Sequence, residues 1–175
     1  MSGHNKWSKI KRQKEKTDGE KSKMFGKMAK LISVEAKKSG GNISSPGLKA
    51  VIEKAKSINM PNDNIDRAIK KSSEAGESEI VVYEAYGPGG CAMIIECLTD
   101  NKNRANQEVK TILSRNGYAM AGVGAASWAF THNPGEDWLP TSTIALSDED
   151  GEKLVALVDE LEGSDEIQEV YTNAE

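Results

Sequence analysis

Residues 79–100 read EIVVYEAYGPGGCAMIIECLTD, and this stretch decides the fold of the C-terminal half of the chain. Two runs rich in β-branched and aromatic residues flank the segment GPGG. Glycine permits positive φ and proline fixes its own φ, so this segment is typical of a turn. The pattern predicts a hairpin whose strands cover about residues 80–86 and 91–98. Neither GxxxxGK[ST] nor GxGxxG occurs here, so the glycines favour a turn over a phosphate-binding loop.

Alternating helix and strand patterns follow this hairpin. The segment NKNRANQEVKTILSRNG (101–117) predicts a helix with Val109, Ile112 and Leu113 on its buried face. The segment YAMAGVGAASWAF (118–130) predicts one or two strands, TSTIALS (141–147) another strand, SDEDGEKLVALVDELEG (147–163) a helix, and EIQEVYTN (166–173) a last strand. This order predicts an α+β fold, a ferredoxin-like split βαβ domain over residues 78–175 with both helices on one face of the sheet.

Three helical patterns precede residue 75. The first follows Asp18, an N-cap candidate, and ends at the sequence SGG. The second starts at Ser45 and Pro46 and is closed by Pro61. The third is NDNIDRAIKKSS (62–73), for which Asn62 is the expected cap. These patterns predict a three-helix domain over residues 1–75.

The charges divide the chain in two. Residues 1–72 carry 18 Lys/Arg and 7 Asp/Glu, a net charge of +11, whereas residues 73–175 carry 5 and 20, a net charge of −15. A strongly basic part in a chain whose total charge is only −4 is typical of a nucleic-acid-facing module. The polar segment KKSSEAGESE, where the sign changes, predicts the domain boundary.

Basic side chains are the candidate phosphate contacts. Any single lysine on a helix is explained by a solvated face, but acidic residues are scarce around this set, and bound phosphates would offset its self-repulsion. On the helices the candidates are Lys23, Lys27, Lys30, Lys54, Arg67, Lys70 and Lys71. Lys102 and Arg104 are minor candidates at a helix start that could hold an anion, although helix capping explains that segment as well.

The N-terminal arm extends the basic set. It reads GHNKWSKIKRQKEK (3–16) and supplies His4, Lys6, Trp7, Lys9, Lys11, Arg12, Lys14 and Lys16. Trp7 offers a ring for base stacking. An alternative role for Trp7, as an anchor that docks the arm on the helices, remains open.

Several kinds of site are not indicated by the sequence. Cys91 and Cys97 lie six residues apart in one predicted strand, a separation of roughly 20 Å that no disulfide spans. His4 and His132 are far apart, so no metal cluster is expected, and no cofactor either. No run of 18 apolar residues and no secretory signal is visible, so a cytoplasmic protein without a membrane span is expected. Glu96 and Asp100 could form a carboxylate pair, but solvation explains them, and we expect no enzyme.

Four stretches resemble the YebC/PmpR family: GHNKWSKIKRQK, NMPNDNIDRAIKK, YEAYGPGG with ECLTDNKNRA, and DEIQEVYTNAE. The resemblance implies a transcriptional regulator that binds DNA, or, from the mitochondrial relatives, a translational activator whose partners are rRNA, tRNA or the ribosome. The family usually carries a further domain between the two βαβ halves. Here only THNPGEDWL joins Phe130 to Pro140, so the chain resembles a short form that lacks this insertion.

Two function classes remain as hypotheses. The leading one is a non-enzymatic nucleic-acid-binding regulator of gene expression, with DNA as the target and RNA or the ribosome as the alternative. The other is a protein-interaction module that uses the acidic domain to bind basic partners. The sequence does not determine the oligomeric state.

Overall fold

A computed structural model describes residues 17–175 of the chain. These residues divide into two compact units. The helical unit contains residues 17–79 together with 133–136. The sheet unit contains residues 80–132 and 137–175.

The helical unit contains three helices and one short 3₁₀ turn. Helix α1 covers Asp18–Ser39, α2 covers Pro46–Ser57, α3 covers Asn62–Lys70, and the turn Lys71–Glu74 follows. Fully buried aliphatic side chains from α1 and α2, among them Ile32 and Leu48, form its core. This core is small, as expected for a unit of this length.

Two predicted helix caps of this unit are wrong. Thr17, not Asp18, is the N-cap of α1, because its hydroxyl accepts the Glu20 amide while the Glu20 carboxylate accepts the Thr17 amide, a reciprocal capping box. Asn62 is the first residue of α3 rather than its cap, since Pro61 holds the N-cap position without a side-chain hydrogen bond. The predicted starts of α2 at Ser45 and Pro46 are confirmed.

The sheet unit begins with the predicted hairpin. Strand β1 covers Glu79–Tyr86 and β2 covers Ala92–Thr99, joined by the turn Pro88–Gly90. The Gly87 amide donates to the Cys91 carbonyl at 2.8 Å and closes this turn. Gly89 has φ 67°, a conformation that side-chain-bearing residues rarely adopt.

Two helices and four further strands complete the sheet unit. Helix α4 covers Lys102–Arg115 and α5 covers Asp148–Gly163. The strands are β3 (Met120–Ala121), β4 (Phe130–Thr131), β5 (Leu139–Pro140) and β6 (Ile167–Thr172). The main sheet has the order β3-β1-β2-β6, and β4 pairs with β5 separately. Because β1 lies between β2 and β3, the segment β2-α4-β3 is a split βαβ unit.

Both helices cover one face of the sheet. Alternate residues of β2, namely Met93, Ile95 and Cys97, are buried against apolar residues of α4 and α5. The opposite residues, Ala92 and Ile94, are buried in a second cluster with Phe130 and its neighbours. The predicted α+β class, with both helices on one side, is confirmed.

The predicted strand at residues 141–147 is wrong. Only Ile144 makes a bridge, pairing with Ala174. Its amide donates to the Asn173 carbonyl at 3.0 Å, and its carbonyl accepts the Glu175 amide at 2.7 Å. The segment lies alongside residues 173–175, which are outside β6, so a single bridge forms in place of a ladder.

Other local predictions have mixed outcomes. The Gly- and Ala-rich segment 118–130, predicted as one or two strands, contains β3 and the first residue of β4, with a loop and the turn Ser127–Ala129 between them. Cys91 and Cys97 are both buried thiols outside any disulfide, as predicted. None of the helices between residues 17 and 175 combines the length and the apolar character that a membrane crossing requires.

Candidate nucleic-acid interface

A groove of about 350 Å³ lies between α1 and α3 in the helical unit. Small residues of α1, Gly26, Ala29 and Ser33, form one wall and allow α3 to approach closely. The Ser33 hydroxyl donates to the Ala68 carbonyl at 2.8 Å, which fixes the two helices against each other. The floor contains Met60, which is buried.

Three cations surround this groove. Lys30 comes from α1, Arg67 from α3, and Lys71 from the turn that follows α3. All three side chains are exposed, and none of the described residues that line the groove is acidic. Arg67 and Lys71 are four residues apart, a spacing that places side chains on the same side of a helix. The groove therefore combines an apolar floor with a cationic rim.

A second depression of about 290 Å³ adjoins the groove and shares Lys30, Ser33 and Lys71 with it. Glu74 is its acidic member. The Lys37 ammonium donates to the Ala75 carbonyl at 2.7 Å and ties the chain after α3 to α1. The two depressions are therefore adjacent to each other along α1.

The remaining candidates on the helices differ in position. Lys23, Lys27 and Lys30 follow an i, i+4, i+7 spacing, so they form one ridge on α1 beside the groove. Lys70 is exposed at the end of α3, next to the rim residues in sequence. Lys54 lies on α2 and does not line the groove.

The structure does not group Lys102 and Arg104 with the helical candidates, because both lie on α4 in the sheet unit. Arg104 forms ion pairs with Asp100 (2.5 Å) and with Glu166. The Asn101 side chain accepts the Arg104 amide at 3.1 Å, so this polar helix start is a capped N-terminus, the alternative that the sequence left open.

The predicted arm contacts lie outside the described residues. These are His4, Lys6, Trp7, Lys9, Lys11, Arg12, Lys14 and Lys16. Their role stays a prediction.

Sequence patterns did not identify the apolar part of the groove. Phe25 and Met60 line it, yet their spacing along the chain is that of ordinary core residues. The signal that was available is the run of small residues on α1, since glycine, alanine and serine at helical spacing permit close helix approach.

Two chemical features of residues 17–175 concern other kinds of site. No group of three or more His, Cys, Asp or Glu side chains within this range is arranged to hold a metal ion. Burial raises the pKa of the Cys91 thiol to about 11, so it is protonated and unreactive at neutral pH.

Comparison with known proteins gives a consistent result. The model of the "TACO1/YebC protein N-terminal domain" matches residues 5–75, and that of the "TACO1/YebC second and third domain" matches residues 78–134. A "Probable transcriptional regulatory protein" of Bacillus licheniformis is 44% identical over 183 residues, which cover 100% of this chain and 75% of the relative. A crystal structure of a conserved hypothetical protein from Aquifex aeolicus superposes with a TM-score of 0.75 at 29% identity, covering 95% of each chain.

The lengths of the relatives identify the chain as a short form. A "Probable transcriptional regulatory protein" of Pseudothermotoga lettingae is 34% identical over 238 aligned positions, which cover 100% of this chain and 94% of the relative. This chain has 175 residues, so at least 63 of those positions have no counterpart in it. Only nine residues, 131–139, join Phe130 to Pro140. The chain belongs to the TACO1/YebC family, as a short form.

Proposed function

We propose that this protein is a non-enzymatic regulator of gene expression that binds duplex DNA through its helical unit. The groove between α1 and α3 carries this proposal, because Lys30, Arg67 and Lys71 surround it and its lining within residues 17–175 contains no carboxylate. Phosphates contribute most of the affinity of such proteins, and lysine and arginine are their partners. The names of the Bacillus and Pseudothermotoga relatives support transcription as the process.

The distribution of charge supports the same surface. Residues 80–175 contain 5 Lys/Arg and 17 Asp/Glu, a net charge of −12. Such a segment repels phosphate, whereas residues 1–79 carry a net charge of +8, from 18 Lys/Arg and 10 Asp/Glu. Nucleic acid is therefore expected on the helical unit and on the arm that precedes it.

The mode of binding is expected to be largely independent of base sequence. The rim offers point charges, and base-specific recognition requires side chains that present paired donors and acceptors in a groove of the duplex. Of the three rim residues, only Arg67 has the planar donor group that makes bidentate contacts.

A salt titration tests the proposal. Binding of the intact protein to a 20-base-pair duplex and to a 20-nucleotide RNA of the same sequence is measured by fluorescence anisotropy across a salt series. The triple variant Lys30→Ala, Arg67→Ala, Lys71→Ala should bind more weakly, and its log K against log salt slope should be flatter by about 2–3 because each lost phosphate contact contributes about 0.9.

A matched triple variant controls for total charge. The control also removes three positive charges, but from positions that do not line the groove: Lys49→Ala, Lys56→Ala and Lys110→Ala. Equal losses in both triple variants would contradict the groove as the binding site. Tighter binding to the RNA than to the duplex would contradict DNA as the target and favour the translational alternative.

A further inference from the structure

The sheet unit exposes apolar side chains along β1. Ile80, Val82 and Tyr86 are 40%, 36% and 38% exposed. They alternate along the strand and so share one face, the face opposite to α4 and α5. The intervening Tyr83 and Ala85 belong to the core on the helix side.

Trp128 extends this face at its end near Tyr86. Its ring is 60% exposed, although its indole N–H donates to the Tyr86 hydroxyl at 2.9 Å and to the Ala125 carbonyl at 3.0 Å. The polar edge of the ring is therefore satisfied, and the exposed part is apolar. Ile80, Val82, Tyr86 and Trp128 are called the apolar strip below.

A buried carboxylate holds the loop that presents Trp128. Glu84 is only 6% exposed, and it accepts the amides of Gly124 (2.7 Å), Ala126 (2.9 Å) and Ser127 (2.6 Å). The loop is thus fixed by bonds to β1, although it lies about 40 residues away in the sequence. Val123, fully exposed, lies in the same loop. A rigid loop that presents exposed apolar side chains is typical of an interaction surface.

Within residues 17–175, the edge of β1 beside the apolar strip is open. Strand β3 pairs with Glu84 and Ala85 alone, so among the described residues no strand pairs with residues 80–83 on that side. This open edge is about 13 Å long at about 3.3 Å per residue. Open edges with an apolar face accept extended peptides as an added strand.

The charge of the sheet unit selects the partner. Among the five cations of residues 80–175, Arg104, Arg115 and Lys153 each pair with a carboxylate. The segment also contains 17 acidic residues, so its net charge is negative, and it repels phosphates and attracts lysine and arginine. A second copy of this acidic unit would be repelled as well.

We propose that the open edge of β1 and the apolar strip bind an extended segment of a partner protein with aliphatic residues at alternate positions and Lys/Arg on both sides. The segment adds as a strand beside residues 80–83. Its aliphatic side chains cover Ile80 and Val82, and its flanking cations face the acidic unit. This site is separate from the groove between α1 and α3, and it does not depend on nucleic-acid binding.

The test uses the intact protein and a defined probe. The labelled peptide KKVTVTVKK is titrated by fluorescence anisotropy, and amide hydrogen exchange locates it. We expect saturable binding, protection of residues 80–83, and binding at least tenfold weaker for the peptide DDVTVTVDD. Val82→Lys should weaken binding at least tenfold, because it puts a cation in the apolar strip beside the cationic peptide.

Leu139→Lys is the matched control, since Leu139 is also 40% exposed and lies on β5 outside the strip. It should change the affinity less than twofold. If Val82→Lys fails to fold by circular dichroism, Ile80→Lys takes its place. The proposal is overturned by equal affinities of the two lysine variants, or by protection elsewhere in the chain. It is also overturned if a 12-nucleotide oligouridylate, rather than the peptide, protects the amides of residues 80–83 from exchange. Protection of these amides that increases with the concentration of the protein in the absence of peptide would overturn it too, because it would indicate that a second copy binds there.

Discussion

Replacement of Glu84 by alanine should destabilise the sheet unit by about 3 kcal/mol. The carboxylate accepts three backbone amides, and a hydrogen bond to a charged group contributes about 1.5–3 kcal/mol. The simple sum of three such bonds, about 4.5–9 kcal/mol, is an upper limit. The loop lies at the surface, so the amides of Gly124 and Ser127 can bind water once they are released, and this lowers the cost.

The pH dependence of the free energy of unfolding tests the role of the Glu84 carboxylate independently. Burial by itself would raise the pKa of Glu84, but the amides of Gly124, Ala126 and Ser127 outweigh it, and the pKa is lowered. A carboxyl with a lowered pKa in the folded state contributes stability above its unfolded pKa of about 4.3 and loses it as the pH falls through the folded value. The difference in the free energy of unfolding between wild type and Glu84→Gln should therefore have its maximum value at pH 7 and should decrease below about pH 4.

Urea unfolding monitored by circular dichroism, combined with amide hydrogen exchange, measures this effect. Exchange at the amides of residues 124–127 should become much faster in Glu84→Ala, whereas the amides of α1 should not change. Glu152→Ala, at an exposed position on α5, is the control and should cost less than about 0.5 kcal/mol. A Glu84→Ala protein within about 0.5 kcal/mol of wild type at pH 7, with the loop amides still protected, would refute this account of the loop.

Three further outcomes are expected. Asn173→Ala should cost about 2 kcal/mol in urea unfolding, because the buried Asn173 side chain accepts the Ala92 amide (2.7 Å) and donates to the Ser142 carbonyl (2.8 Å); a loss below about 0.5 kcal/mol would contradict this. Cys91, whose thiol pKa burial raises to about 11, should react with a disulfide reagent at pH 8 only after denaturation, and rapid labelling of the native protein would be inconsistent with that burial. Thr17→Ala removes the hydroxyl that caps α1 and should lower the stability of the helical unit by about 1 kcal/mol, whereas Thr17→Ser should retain most of it.

Local sequence patterns were sufficient for most helices and for the β1–β2 hairpin. Helices α1, α2, α4 and α5 have apolar residues at helical spacing, and the turn after β1 has the glycines that positive φ requires. These features are determined by neighbours within about ten residues. The cap of α1 was missed for a related reason, since Thr17 and Asp18 are both good caps and only the reciprocal bond with Glu20 decides between them.

Features that depend on distant partners were not predictable. Residues 141–147 have a strand-like composition, but a strand also needs a neighbouring edge, and only Ile144 meets one. The loop that Glu84 holds is another case, because no short-range pattern links a carboxylate in β1 to amides 40 residues later. The one local signal was a charged residue inside an apolar strand, and a solvated face explains such a residue equally well.

The opposite charges of the two parts of the chain make their proposed ligands separable by mutation. The triple groove variant at Lys30, Arg67 and Lys71 should weaken duplex binding and leave the KKVTVTVKK affinity within twofold, and Val82→Lys should do the reverse. Effects of substitutions at distant sites without shared partners are additive to within about 0.5 kcal/mol. A variant that combines the triple groove substitution with Val82→Lys should therefore lose as much duplex affinity as the triple variant and as much peptide affinity as Val82→Lys, measured in parallel anisotropy titrations. A combined loss in either titration that exceeds the single-variant loss more than threefold would show that the two surfaces are coupled, and the assignment of one ligand to each would then be wrong.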